Sequence, residues 1–269
     1  GSGSVIHGME HGVLQTGKRI DPQDMRNMGG LKSKMPITFW TFLAGGLALS
    51  GFPVITAGFW SKDEILTGAF SGGYTLIFIL LAITAFITAF YTARQITLVF
   101  LGIPRTSAAE HASESRMVMT IPLVILAIFA ICIGWVGIPQ AFPGLGQISP
   151  AWFQEFVGSM LPHAAHEEAH SYVPLIVSIL VSLGGLLLGW VTYQNQTSAQ
   201  AKDPLEANLG GVFGLLRDKY RIDEFYQKVF INPTLWLADK VVYQLLDLKI
   251  IDGALHGLAA FSVWLGNQL

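Results

Sequence analysis

Charge is scarce in this sequence. Asp, Glu, Lys and Arg make up 13% of its 269 residues, roughly half the share of about 25% in an ordinary soluble domain. Too few charges remain to coat a globule in water. A basic face is missing as well. The 16 Lys and Arg stand against 18 Asp and Glu, a formal net charge of −2, and nucleic acid would want a basic face. Cysteine is almost absent. The single Cys132 lies in the apolar run 121–138, where a lone thiol reads as buried packing and supplies no disulfide framework. No glycine-rich phosphate loop, cluster-binding cysteine pattern or haem motif is found. The chain therefore offers no motif for a dinucleotide, a flavin or an iron–sulfur cluster.

Long hydrophobic runs are what the sequence has in quantity. Hydrophobic residues are 52% of the chain, and mean hydropathy is +0.51. Four apolar segments stand out, at 37–70, 74–101, 118–138 and 172–193. Each carries the ~20 apolar residues that a helix needs to cross a bilayer. Strands are excluded because the runs are long and continuous, whereas a membrane barrel alternates. The expected fold is an all-α membrane protein, a bundle of four spans over 36–193. A cytoplasmic-side entry segment, 1–35, precedes it, and a connector, 194–230, follows.

Basic residues fix the orientation. Lys18, Arg19, Arg26, Lys32 and Lys34 precede the first span, and Arg105 and Arg116 lie in the second connection. Lys202, Arg217, Lys219, Arg221 and Lys228 follow the fourth span, while 71–73 and 139–171 contain no Lys or Arg. This alternation places 1–35, 102–117 and 194–269 on the cytoplasmic (or matrix) side.

The last section, 231–269, differs. Apolar residues recur three or four apart, from Leu235, Val242 and Leu245 to Leu258 and Leu265, with Asp239, Lys240, Asp247, Lys249 and Asp252 between them. That pattern is an amphipathic helix, too charged to span easily, since each charge costs about 2.5–3.5 kcal/mol at the bilayer centre. Asn232-Pro233 reads as its N-cap and first helical position. From Pro233 it would run ~55 Å. It would lie along the membrane plane, either as a lipid anchor or as a lateral brace on other spans.

The segment 37–70 carries the chemistry. As one straight helix it would measure ~51 Å against a hydrocarbon core of ~30 Å. Gly51 and Pro53 supply a break, because proline lacks a backbone donor and clashes one turn back. Unwound backbone at that depth is found where it is buried in protein or lines water, as in transporters. The turn Ser71-Gly72-Gly73 marks the outer face. Counting nine residues back gives ~13 Å of helix, which sets Lys62 near the bilayer midplane. An ionisable residue at that depth points to an ion pathway, and lysine suits a proton relay because burial eases its deprotonation. Asp63 and Glu64 follow directly as possible partners. On the return span, Thr84, Thr88 and Tyr91 recur four and three apart; they line a hydrated path, or Thr84 and Thr88 simply bond back to their own helix. Arg94, ~30 Å along that helix from the turn, reads as a snorkelling residue at the cytoplasmic boundary. No residue reads as catalytic in the covalent or redox sense.

One metal motif is refused. His166-Glu167-Glu168-Ala169-His170 matches the zinc-protease pattern, with His163 as a conceivable third ligand. The chemistry needs a helix and a substrate cleft, and a short outer loop between Pro162 and Pro174 offers neither. A solvated loop with no zinc is expected. His7 and His11 are expected at the surface.

The stretch from Gly29-Gly30-Leu31-Lys32-Ser33-Lys34-Met35-Pro36 through Ala57-Gly58-Phe59-Trp60-Ser61-Lys62-Asp63-Glu64-Ile65 resembles the region around a late, broken helix of subunit L, the antiporter-like subunit of proton-pumping NADH–quinone oxidoreductase (respiratory complex I). Gly3-Ser4-Val5-Ile6-His7 resembles the end of the helix before it. Asp223-Glu224-Phe225-Tyr226 through Asn232-Pro233 resembles the start of that family's lateral helix. The resemblance implies a C-terminal half of such a subunit, a piece of a longer protein. It implies that Lys62 ends a central proton relay near the outer exit, and it turns the amphipathic helix from an anchor into a brace. NADH, FMN, iron–sulfur clusters and quinone are expected in partner subunits, with none in this chain. The partners implied are neighbouring antiporter-like subunits in an energy-transducing membrane, chiefly a bacterial plasma membrane. The alternative is the large subunit of a multi-subunit sodium/proton antiporter.

Overall fold

The computed structural model describes residues 1–138, 142, 145, 152–160 and 171–268. They are helical, with no strand among them, and they divide into two units, Gly1–Lys202 and Asp203–Leu269.

The first unit contains α1 (Ser2–Thr16), α2 (Pro36–Ser50), α3 (Ala57–Ser71) and α4 (Thr75–Phe100). The short α5 (Ser107–Glu110), α6 (Met117–Cys132), α7 (Trp152–Met160) and α8 (Val173–Tyr193) follow. Local chemistry sets the ends. Pro36 opens α2, where its missing N–H costs nothing, and Gly17 and Gly51 end α1 and α2 with φ near +65° and +72°, a conformation that glycine adopts freely. The helices α4, α8 and Met117–Gly137 (α6 and its continuation) are long and apolar enough to cross a membrane, and at most 22% of their apolar windows is buried. Many of their other apolar residues, such as Leu80, Leu126 and Leu180, are exposed, as hydrocarbon surroundings allow. At 15 residues each, α2 and α3 are individually short of a ~30 Å crossing, since 15 residues rise only ~22 Å.

The chain's entry differs from the expected polar segment. Residues 2–16 form α1, which buries Ser4, Val5, Gly8, Met9 and Gly12 while His7 and His11 stay exposed. Its apolar residues are few but share one face. They pack with Leu31, Phe39 and Phe100 in the larger core cluster. The connections assigned to the cytoplasmic side meet at this end. Gly30 and Lys32 donate to the carbonyls of Leu101 and Phe100, at 3.0 and 3.1 Å. The guanidinium of Arg105 donates to the carbonyls of Met25 (2.9 Å), Arg26 (3.0 Å), Gln196 (3.1 Å) and Leu98. Burial lowers the proton affinity of Arg105, and the nearby Asp24 carboxylate raises it.

Small residues bring α4 and α8 together. A Cβ on Gly185 would lie 2.5 Å from the Phe86 carbonyl and 2.7 Å from the Ala89 Cβ, and one on Gly189 would lie 2.8 Å from the Ala93 Cβ. Lipid tails are as apolar as leucine, so helices in a bilayer associate through close packing of this kind. Gly185→Ala should therefore force the two helices apart and cost on the order of 1–3 kcal/mol. Thermal unfolding in detergent checks this, and an unchanged midpoint would contradict the packing. At the end of the same pair the Arg94 guanidinium lies 5.1 Å from the centroid of the Tyr193 ring. Arg94 thus makes a cation–π contact with the end of α8.

Cys132 is exposed on α6, against the expectation of a packed thiol. Thr120 is the one buried residue of that helix, so most of the apolar run faces outward and its apolarity says nothing about burial within the protein.

The second unit has the short helices α9 (Glu206–Leu209) and α10 (Gly211–Arg217), then a helical run, Lys219–Gln268. That run includes α11 (Ile222–Tyr226), α12 (Asn232–Leu237) and α13 (Gly253–Gln268), joined by wider π-helical turns at Gln227–Ile231 and Ala238–Asp252. The expected start at Asn232-Pro233 is corrected. The helix already runs through Ile231 with φ −71° and ψ −53°. The wide turn before Pro233 eases the clash that proline makes with the carbonyl one turn back. The expected excess of charge is also local. From Gly253 to Gln268 there is no Asp, Glu, Lys or Arg, and the run contains one stretch of 18 residues apolar enough to cross a membrane. Leu235, Val242, Leu245 and Leu258 are all exposed.

Candidate functional site

The site is built on the interruption between α2 and α3. Helix α2 ends at Ser50, and regular helix resumes at Ala57. The amides of Gly51 and Phe52 turn back onto the carbonyls of Ala48 (3.1 Å) and Leu47 (2.9 Å). Pro53 has no amide to offer. The next free carbonyl of the last turn, that of Leu49, accepts from the ammonium Nζ of Lys62. A residue of α3 thus caps the C-terminus of α2. The cation sits where the helix dipole places about half an elementary negative charge.

Two further features make this geometry possible. A Cβ on Gly51 would lie 3.3 Å from the Lys62 Cδ, so glycine clears the path of the lysine chain besides supplying positive φ. Val54 also has φ +65°, a costly conformation for a β-branched residue, of order 1–3 kcal/mol. The indole of Trp60 donates to the Val54 carbonyl at 3.1 Å, and the Thr56 hydroxyl donates to that of Phe52 at 2.8 Å. Phe59 and Trp60, with Ile138, form the second core cluster against the break. Packing over-determines the strained turn, as is usual at sites that do work.

Lys62 is half-buried and lines a cavity of about 140 Å³ with Ile65, Leu66, Leu81, Thr84, Ala85 and Thr88. That volume is large enough to admit water, which needs only about 10–15 Å³ of such space. The structure thus brings Lys62, Thr84 and Thr88 together. The threonine hydroxyls donate to their own helix, Thr84 to Leu80 at 2.7 Å and Thr88 to Thr84 at 2.8 Å. Back-bonding and lining the cavity coexist, because each oxygen keeps a lone pair to accept from water or ammonium. Asp63 and Glu64 are not among the cavity's lining residues. Asp63 is half-buried, and its Oδ1 has no hydrogen-bond partner among the described residues. Glu64 is exposed.

A larger cavity, about 420 Å³, lies among α1, α2, α4 and α6 and is lined by Thr41, Leu49, Thr92 and Gln95 among others. The Thr92 hydroxyl donates to Thr88 at 2.8 Å. Thr84, Thr88, Thr92 and Gln95 therefore form one polar stripe along α4 between the two cavities. The spacing of four was visible in the sequence for its first two members, and carrying it one step further would have found Thr92.

The motif His166-Glu167-Glu168-Ala169-His170 and His163 lie outside the described residues. Among the described residues no three His, Cys, Asp or Glu gather as a metal site.

Residues 3–88, which hold the break, Lys62 and both cavity threonines, match the family described as NADH:quinone oxidoreductase/Mrp antiporter, TM. The chain is 37% identical to the NAD(P)H-quinone oxidoreductase chain 5 of Picosynechococcus sp., over 95% of the chain and 40% of the relative. It is 34% identical to the NADH-quinone oxidoreductase subunit L of Pseudomonas aeruginosa, over 100% of the chain and 38% of that protein. Identity to the subunit L of Mycobacterium tuberculosis is 31%, over 100% and 39%. The chain spans about two fifths of the length of these relatives. Residues 3–88 thus match the NADH:quinone oxidoreductase/Mrp antiporter transmembrane family, and over nearly its whole length the chain is similar to part of subunit L and chain 5 of the quinone oxidoreductases.

Proposed function

We propose that this chain is part of a membrane-arm subunit of an NADH–quinone oxidoreductase and that it moves protons across the membrane while partner subunits reduce quinone. The observation that carries the reading is the placement of Lys62. It caps the Leu49 carbonyl at a helix break and faces a cavity shared with Thr84 and Thr88. An amine in that position can exchange a proton with cavity water, and the carbonyl dipole holds the charged form between exchanges. Asp63 and Glu64, next along α3, would take part toward the outer face. NADH, FMN, iron–sulfur clusters and quinone would be held by the partner subunits. The neighbours would be further antiporter-like subunits, and the run Lys219–Gln268 would lie against them as a lateral brace. The membrane would be an energy-transducing one, most simply a bacterial plasma membrane.

The family description also covers antiporters, so the large subunit of a sodium/proton antiporter is the second reading. The named relatives are quinone oxidoreductases, which favours the first. Purifying the tagged, complete protein from its native membrane separates the two. The first reading expects NADH-driven quinone reduction to co-purify. Sodium-dependent proton exchange without any quinone reductase would replace it by the second.

A further inference from the structure

Helix α2 has no N-cap of its own. Met35 stands at that position without a side-chain hydrogen bond, and the first amides of the helix are left to find another acceptor. They find it 76 and 77 residues away. One carboxylate oxygen of Glu114 accepts from the amides of Ile37 (2.8 Å) and Thr38 (3.2 Å). The other accepts from the Thr38 hydroxyl at 2.5 Å and from the Ser115 amide at 3.2 Å. Behind it, the buried Ser4 hydroxyl of α1 lies 2.8 Å from that of Thr38 and 2.7 Å from that of Ser115. Glu114 thus accepts all four of its hydrogen bonds, three from the first turn of α2 and one from its neighbour Ser115, and Ser4 of α1 braces two of the donor residues.

Both ends of α2 are therefore finished by side chains from other elements. A carboxylate meets the N-terminal amides, and an ammonium meets a C-terminal carbonyl. Each sign suits the helix dipole at its end. The helix between them is a rod of 15 residues, about 22 Å long. The position of its last turn, which holds the Leu49 carbonyl, depends on where its first turn is fixed. Near the break the rod packs through small residues, Gly46 close to Thr92 and Ile96 and Ala48 against Gly58 of α3, while the larger cavity opens beside Gly45 and Leu49.

We propose that Glu114 is a positioning residue for Lys62. By capping α2 in trans it holds the Leu49 carbonyl at the height where the lysine ammonium meets it. This rests on the reading of Lys62 as a proton carrier. Loss of the carboxylate leaves at least two amides without an acceptor, and α2 relaxes by fraying or sliding toward the larger cavity. The lysine then loses its fixed partner while every residue lining the smaller cavity is still present.

The test uses membrane vesicles carrying the complete protein in its assembly, with protons moved per quinone reduced as the readout and the amount of assembled complex as the control. Glu114→Gln keeps the size and one carbonyl acceptor but removes the charge and turns a donor toward donors. It should lower the proton-to-quinone ratio at least threefold in complexes that still assemble. Glu114→Asp should fall between. Ile37 is 45% exposed at the second position of α2, so Ile37→Asp puts a carboxylate back at the same helix end. That change should restore the ratio in the Glu114→Gln background. A normal ratio in Glu114→Gln, with Lys62→Ala defective, overturns the positioning role and leaves the proton-carrier reading standing. A normal ratio in Lys62→Ala overturns that reading itself. Loss of assembly in Glu114→Gln without rescue by Ile37→Asp makes Glu114 a folding residue and also overturns the proposal.

Discussion

Lys62→Ala should abolish most proton translocation, by tenfold or more per assembled complex, while the complex itself persists. The fold loses one hydrogen bond to a main-chain carbonyl. Leaving that acceptor unsatisfied costs about 1–3 kcal/mol, and the adjoining cavity lets a water take the place of the ammonium. A purely structural ion pair would behave differently, because removing one partner strands a buried charge at about 3–5 kcal/mol and assembly suffers. Lys62→Arg sharpens the contrast. Arginine still donates to the Leu49 carbonyl and keeps the positive charge at the end of α2, so stability should stay close to that of the parent. It does not release its proton in the working pH range, so translocation should stay as low as in Lys62→Ala. Proton uptake in sealed vesicles, normalised to assembled complex, is the measurement. Normal uptake in either variant would remove Lys62 from the proton path.

Gly58→Ala should be almost as damaging by another route. Gly58 is the second residue of α3, and a Cβ there would collide with the backbone carbonyl of Ala48, 2.8 Å from the carbonyl carbon. Backbone cannot swing aside as a long side chain can. Relief requires α3 to move off α2, which separates Lys62 from Leu49. Overpacking of this kind costs about 1–3 kcal/mol, occasionally more, and here the strain falls on the turn that already holds Val54 at positive φ. We expect a lower unfolding midpoint together with a loss of translocation of about the size seen for Lys62→Ala. A variant that unfolds normally and pumps normally would show that the approach of the two half-helices is not tight.

The break between α2 and α3 was required by length and placed by Gly51 and Pro53. The 34 residues of 37–70 do not fit one crossing of a bilayer, and Pro53 cannot donate where a continuous helix needs a donor. Lys62 was singled out by its expected depth, where a cation is costly unless it is used, and the structure sets it against the Leu49 carbonyl and beside a cavity. Thr84 and Thr88 were visible by their spacing of four. Asp63 and Glu64 were drawn in by adjacency, which is a weak guide on a helix, where successive residues point about 100° apart. In the structure they fall away from the cavity that Lys62 lines.

The sequence by itself determined the class of the protein, the places of the long apolar helices in its first unit, and the helix break ahead of Lys62. Those properties follow from summed hydrophobicity, rise per residue and the placement of Gly51 and Pro53, and each can be counted along the chain. Only the tertiary structure decided what Lys62 touches, because its partner is a main-chain carbonyl, and every residue has one. It also decided that Glu114 caps α2. A helix without its own cap needs an acceptor from somewhere, but a contact across 76 residues leaves no local pattern. The packing of α1 was hidden in the same way. A short helix with one narrow apolar face reads as polar on average, and it becomes a core element only when Phe39 and Phe100 arrive to cover that face.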